Sequence, residues 1–399
     1  MSVRKNTHGD GYGIYVRGSW KFRFLRLLAL LVIACFGLTA CGKKEESTTE
    51  EPFVVKIGVL LDFSGEAKEE SEQMYSAAAL AVDEINNAGG VLTQGYKVEL
   101  VKKDDGGDYM NSVAGYYQLA QEGVCALIGT NNSQGMTELI NASASANVPV
   151  ITPYVTDDVV VSAANFVYQS CFSDEYMTEA LVNFIATQQG ELSDSKAALV
   201  CLPENEKYAA LYEDMAASMQ SGNINTVYAK EISAYTKESL GEIFDEVVKT
   251  GAGIMFIPAP VDELDTIFST AKECGYEGAF LGLPEWSGYI GKMYGYDVYI
   301  PVNMAADRED EAVQSFVKKL GGAVCDGVRP AYDAVYFIRD AIEKGYLATA
   351  TSVSLKLPFL EGSTALGDYS IGAYGNVEKT VDIILMNDSG AGYAATIFE

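Results

Sequence analysis

Histidine is almost absent. His8 is the single one among 399 residues, so a Ser-His-Asp or Cys-His site has no imidazole to use, and the commonest metal ligand is missing beyond position 8. Basic residues are also scarce. Lys and Arg number 28 against 55 Asp and Glu, a formal net charge of −27, which repels phosphate backbones and anionic lipid surfaces. No nucleic acid partner is therefore expected. Beyond residue 40 there is no G-x-S-x-G, no Walker loop, no C-x-x-C and no G-x-G-x-x-G, so the common nucleophile, nucleotide and redox motifs are missing. Cysteines are few and show no framework: Cys125, Cys171, Cys201, Cys274 and Cys325 follow Cys35 and Cys41 at irregular spacing. They read mainly as small buried apolar residues, with a single disulfide left open. What is abundant is apolar material. At 48% apolar and 21% charged residues, the chain can bury cores for roughly two to three domains and is not a disordered acidic tail.

The N-terminus reads as a targeting segment. Arg17, Lys21, Arg23 and Arg26 precede an uncharged, mostly apolar stretch from Leu27 to Ala40, which suits a signal peptide and is too short for a membrane span. It ends Leu38-Thr39-Ala40-Cys41-Gly42, a sequence that resembles the bacterial lipobox and makes Cys41 the expected lipidation site. Residues 1–40 are then a lipoprotein signal peptide, and 41–52, without an apolar side chain before Pro52, a flexible tether. A secretory signal with a chance cysteine, or an uncleaved tether, is the alternative. Loss of residues 1–40 would remove six basic residues and one acidic residue, together with His8.

From residue 53 the chain alternates short apolar runs with helical periodicity. The runs are Val54 to Leu61, Val98 to Val101, Ala126 to Ile128, Val148 to Ile151, Ala197 to Leu202, Thr226 to Ala229, Ile254 to Ile257, Ala279 to Leu283 and Val298 to Val302. Helices are expected between them, among them Ser71 to Ala88, Gln134 to Ala146, Lys207 to Ser221, Glu309 to Leu320 and Ala331 to Lys344. Runs that are apolar throughout suit strands covered on both faces of a parallel sheet. Nine of them exceed one comfortable sheet. The fold expected is α/β, with two Rossmann-like lobes joined by a hinge that the chain crosses more than once. One lobe is expected from 53–171 plus about 301–362, the other from 172–300 plus about 363–399. In open α/β sheets ligands bind beyond the carboxyl ends of the strands, so facing lobes would trap a small molecule between those ends.

One helix carries a more specific signal, Ala77-Ala78-Ala79-Leu80-Ala81-Val82-Asp83-Glu84-Ile85-Asn86-Asn87-Ala88 with its stop Gly89-Gly90. With Lys103-Asp104-Asp105-Gly106-Gly107-Asp108, Leu127-Ile128-Gly129-Thr130, Val148-Pro149-Val150-Ile151-Thr152-Pro153 and Tyr332-Asp333-Ala334-Val335-Tyr336, it resembles the type I periplasmic solute-binding proteins, the leucine/isoleucine/valine-binding family of ABC importers. The resemblance runs from about residue 53 to 399. It implies that Ser133 and Thr156 bind a ligand carboxylate and that Glu285 neutralises an α-ammonium. It further implies that Tyr154 and Trp286 lie near the ligand, that Tyr208 closes over it, and that Tyr332 is an aromatic beside the cleft. Each residue also has a plainer reading: Ser and Thr cap helices constantly, Glu285 suits a helix start, and tyrosines pack in cores. Departures from the family pattern fall at the site itself. Glu70 stands where many members place an aromatic, Pro260 where they place a tyrosine, and Ala209 where a glycine follows Tyr208. If Glu70 faces inward, an extra carboxylate would favour a ligand with a second positive or hydrogen-bond-donating group; a solvated surface charge is the plainer reading in so acidic a chain. Asp104, Asp105 and Asp108 lack calcium-loop spacing and read as a turn.

The function expected is an extracytoplasmic, lipid-anchored binding protein, monomeric, delivering an amino acid, branched-chain or related, or a small amide to ABC permease subunits, with no catalysis, cofactor or metal. A sensor of the same fold, or one taking a sugar, polyamine or urea-like solute, is the alternative. A carboxylate-based hydrolase ranks last, because nothing pairs two carboxylates.

Overall fold

The computed structural model describes residues 53–157, 160–161, 166–188, 192, 195–322 and 324–398. The expected signal peptide, tether and Cys41 lie outside the described residues. Among the described residues no helix is long and apolar enough to cross a membrane.

The first core is built on a parallel sheet in the order β2-β1-β3-β4-β5. Its strands are β1 (Val54–Leu61), β2 (Lys97–Asp104), β3 (Ala126–Gly129), β4 (Val150–Thr152) and β5 (Val167–Gln169). β3 is buried along its whole length, whereas edge strand β2 alternates and exposes Lys97, Glu99 and Lys102. Charges on an exposed edge discourage pairing with another chain. Each fully covered side chain such as Ile57 or Leu127 contributes about 1.5–3 kcal/mol of burial free energy. Helices α1 (Lys68–Asn87), α2 (Tyr109–Gln121) and α3 (Ser133–Ala146) follow the first three strands. α1 has no side-chain cap of its own. Instead the Asp62 carboxylate accepts the N–H groups of Ser64, Gly65 and Ala67, which shapes the turn that leads the helix in. α1 stops where the Gly90 N–H meets the Ile85 carbonyl at 2.9 Å. There φ is +87°, and an added Cβ would run into the Gly95 and Tyr96 carbonyls, so only glycine fits without strain.

The second core surrounds the sheet β15-β14-β10-β9-β8-β6-β7. β6 (Lys196–Cys201), β7 (Thr226–Glu231), β8 (Ala252–Phe256), β9 (Ala279–Leu281) and β10 (Val298–Val302) are parallel. β14 (Val381–Asn387) and β15 (Gly390–Ile397) add antiparallel strands beyond β10. Helices α4 (Asp174–Thr187), α5 (Glu206–Ser221), α6 (Lys237–Thr250) and α7 (Leu264–Glu273) belong here. Ser173, Asn205 and Thr236 each accept an N–H of the first turn of α4, α5 and α6, satisfying donors that the helix itself leaves open.

Between β10 and β14 the chain returns to the first core as α8 (Glu311–Lys319), α9 (Val328–Gly345), α10 (Ala350–Lys356) and an antiparallel sheet of β11 (Glu361–Thr364), β12 (Gly367–Ile371) and β13 (Val377–Lys379). α9 lies against α1. Leu366, Tyr369, Ile371 and Val377 share a core with Ile57 and Ala77, whereas Val381 and Ile383 share one with Leu199 and Phe280. The last passage between cores therefore falls near Thr380, not near residue 362 as the sequence pattern suggests: Tyr369 packs on Phe337 of α9, ring centroids 4.2 Å apart, and keeps β12 with the first lobe. The other two passages fall near Ser170 and Asn303.

A buried ionic cluster fastens these passages. Arg329 donates to the carbonyls of Asn303 at 2.7 Å and Thr380 at 3.1 Å. Asp333 lies 3.4 Å from Arg329 Nε and accepts from Lys379 Nζ at 3.0 Å. All three side chains are almost wholly buried, an arrangement tolerable only because opposite charges and backbone acceptors meet there. The five cysteines from Cys125 onward are free thiols.

Candidate functional site

A cavity of about 650 Å³ lies at the carboxyl ends of strands from both sheets. Its lining includes Glu70, Tyr154, Thr156, Lys207, Glu285, Ser287, Asn303, Cys325 and Asp326. Glu70 stands in the first turn of α1, Tyr154 and Thr156 follow β4, Lys207 opens α5 after β6, Glu285 follows β9, Asn303 follows β10, and Asp326 precedes α9. That is where open parallel sheets bind ligands. Another concavity of about 620 Å³, lined by Glu66, Glu69, Gln73 and Leu320, draws on the first lobe alone.

Local hydrogen bonds hold the walls. Thr152 Oγ1 accepts from Tyr154 N at 3.3 Å and Val155 N at 3.1 Å, and Gln169 Nε2 donates to the Val155 carbonyl at 3.0 Å, so the loop carrying Tyr154 and Thr156 is pinned from both ends. Asn205 caps α5 and thereby sets Lys207 at its first turn. The short 3₁₀ turn Pro284–Gly288 is anchored by Trp286, whose Nε1 donates to the Ala259 carbonyl at 2.8 Å. Asp326 accepts from Asn303 N at 2.6 Å and Nδ2 at 2.8 Å. Cys325 N donates to Gln73 Oε1 at 2.8 Å, tying this segment to α1.

Charge in the cavity is unbalanced. Lys207 Nζ approaches Glu285 Oε1 at 3.4 Å. Burial works against the ammonium, but the carboxylates of Glu285 and Asp174 raise the Lys207 pKa above its ordinary value. Glu70 is pushed up by burial and by neighbouring Glu69, against a hydrogen bond from Tyr154. Burial also raises Asp326, opposed by its bonds from Asn303. Burial disfavours the charged form of a carboxylate in this way.

The structure brings Tyr154, Thr156 and Glu285 together and leaves the other expected residues elsewhere. Ser133 is exposed at the start of α3, where Asn132, not Ser133, caps the helix. Tyr208 is 8% exposed and packs in the second core. Trp286 is fully buried against Phe268, so it supports Glu285 from below and does not line the cavity. Tyr332 is interior too: its hydroxyl donates to Glu84 at 2.5 Å and lies 3.3 Å from Tyr336. An aromatic in the first turn of a helix looks the same in sequence whether it faces a cleft or a core. Sequence reasoning does not single out Lys207, Asn303 or Asp326; for Lys207 a signal is available, since it opens the helix that follows a buried strand. In the acidic turn, Asp105 accepts from Thr130 at 2.6 Å and Ser112 at 2.8 Å, and Asp108 caps α2, so these carboxylates serve the loop.

Two parallel-sheet lobes with a polar cavity at facing strand ends define a binding fold. The model of a family described as periplasmic binding protein matches residues 54–373, and the chain belongs to that family, which is made of solute-binding proteins and not of enzymes. The leucine-, isoleucine-, valine-, threonine- and alanine-binding protein of Pseudomonas aeruginosa is 22% identical over 367 residues, 90% of this chain and 94% of that protein. An ABC transporter substrate-binding protein from Desulfitobacterium hafniense, solved in complex with Leu, superposes with TM-score 0.71 at 21% identity, covering 86% of this chain and 100% of that one. A solute-binding protein from Rhodopseudomonas palustris, solved with 3,4-dihydroxybenzoic acid, does so with TM-score 0.65 at 14% identity, covering 86% and 96%.

Proposed function

We propose that this chain is the extracytoplasmic binding component of an ABC importer and that it takes an amino acid or small amide into the cavity between its lobes. One observation carries the reading: a carboxylate and an ammonium, Glu285 and Lys207, stand 3.4 Å apart on the second lobe and share the cavity with Tyr154 and Thr156 of the first. A zwitterion can insert its ammonium toward Glu285 and its carboxylate toward Lys207 or Thr156 by charge-assisted hydrogen bonds. Binding at both walls draws the lobes together in the hinge closure that periplasmic binding proteins as a class exemplify. Lipidation at Cys41, a monomeric state and docking on permease subunits belong to the same proposal. Similarity to an amino-acid-binding relative supports it. The benzoate-type neighbour makes an aromatic acid the second reading.

Isothermal titration against the twenty amino acids, urea, short amides and 3,4-dihydroxybenzoate tests it. Heat from an amino acid or amide is the expected result; heat from the aromatic acid alone would replace the proposed ligand. For the anchor, Cys41→Ser should move the protein from the membrane to the soluble fraction of the native host.

A further inference from the structure

Resting on the amino acid reading, we propose that the cavity selects a solute with a second cationic group, an ammonium or guanidinium beyond its α-amine, held by Glu70 and Asp326. Among the described residues three carboxylates line the cavity, Glu70, Glu285 and Asp326, against one cation, Lys207. Lys207 lies beside Glu285, so the second lobe meets a zwitterion with a matched pair. The excess negative charge sits on the first-lobe side. There Cys325 Sγ lies 3.8 Å from the Glu70 carbonyl, which brings the first turn of α1 against the segment that carries Asp326, and both residues line the cavity. The buried cations Arg329 and Lys379 share Asp333 and also act on Asp326, so Glu70 is the carboxylate of this wall with no cation beside it among the described residues.

A second observation is independent of charge. Asn303 is 1% exposed and lines the same cavity; its Nδ2 donates to Asp326, while its Oδ1 has no hydrogen-bond partner among the described residues. A buried acceptor without a donor is costly, and an ammonium or guanidinium brings several N–H donors to this wall. The Tyr154 ring, 39% exposed, gives such a group an aromatic surface as well. An aliphatic side chain has less to gain. Val324 is the one branched aliphatic residue among the described residues lining the cavity, and covering Glu70 and Asp326 with hydrocarbon would strip their water without replacement.

Titration of the purified protein with arginine, lysine, ornithine, leucine, isoleucine and glutamine tests the inference. A dibasic amino acid should bind at least tenfold more tightly than leucine, and Glu70→Gln should lower that ratio at least tenfold. Asp326→Asn should act in the same direction; because Asp326 also holds Asn303, the half-exposed Glu70 carries the test should that variant fail to fold. Tighter binding of leucine or isoleucine than of any dibasic amino acid, or an unchanged ratio in Glu70→Gln, overturns the inference and leaves the amino acid reading standing. Silence toward every amino acid and amide overturns both.

Discussion

Lys207 Nζ stands 3.4 Å from Glu285 Oε1, with the two side chains 40% and 32% exposed, so the second lobe presents the cavity with an ion pair in place of a bare carboxylate. Such a half-solvated pair adds about 0–1 kcal/mol to folding stability. Its value for binding is larger, because closing lobes exclude the water that weakens it.

Glu285→Gln should therefore separate binding from stability. A hydrogen bond to a charged group contributes about 1.5–3 kcal/mol, so ligand affinity should fall roughly ten- to hundredfold by calorimetry. Thermal unfolding of the empty protein should hardly change. Equal affinity in the variant would remove Glu285 from the site.

Tyr332→Phe should do the reverse. It deletes a hydroxyl that donates to Glu84 inside the first core, at a cost of about 1 kcal/mol in urea unfolding, with ligand affinity unaltered. Burial alone would raise the Glu84 pKa, but hydrogen bonds from Lys319, Tyr332 and Tyr336 outweigh it and hold the carboxyl below its usual range. A lowered folded-state pKa stabilises above the ordinary value and loses that stabilisation as pH falls through the folded one. The gap between wild type and variant should then be full near pH 7 and close below about pH 4. Weaker ligand binding would return Tyr332 to the cleft.

Asp333→Asn leaves Arg329 and Lys379 buried without their carboxylate. Breaking a buried ion pair from one side costs about 3–5 kcal/mol, so denaturant midpoints should drop sharply. The double change Asp333→Leu with Lys379→Met should regain part of the loss, since uncompensated charge is the larger penalty. A small effect of Asp333→Asn would mean that water reaches these groups.

Asp214→Asn should stabilise the second lobe. Burial first, then the carboxylates of Asp174, Glu175 and Glu213, push the Asp214 pKa up to about 6. A raised carboxylate pKa destabilises once pH exceeds the folded value and is harmless below the unfolded value. After allowance for solvent screening, the variant should gain about 1 kcal/mol at pH 7 and nothing below about pH 4. Equal stability of the two proteins at pH 7 would show that the repulsion is already screened.

The sequence was most legible where burial is two-sided. Val54 to Leu61, Ala126 to Ile128 and Ile254 to Ile257 are apolar but for Lys56 because helices cover both faces of their sheets, and each became a parallel strand. The stretch beyond Gly345 was not read as strands at all. β11 is Glu361-Gly362-Ser363-Thr364, a poor strand former by composition, and β14 exists because Val298–Val302 offers its edge to residues 382–386, 80 or more positions away in the chain. Tyr154, Thr156 and Glu285 follow buried strands and line the cavity, whereas Trp286 and Tyr332 could not be told from their core counterparts.

Amino-acid order alone determined the alternation of strand and helix, the division into two cores, the loops that follow the strands, and the family to which the chain belongs, because all of these follow from local hydrophobic period and short motifs. Tertiary structure decided the rest. It set Lys207 beside Glu285, and it brought Cys325 against the Glu70 backbone, contacts that join residues roughly 80 and 250 positions apart by the packing of α1, α5 and α9 around their sheets. It also turned Trp286 and Tyr332 inward, since which way an aromatic faces depends on the surface that another part of the chain presents to it, and no local pattern records that surface.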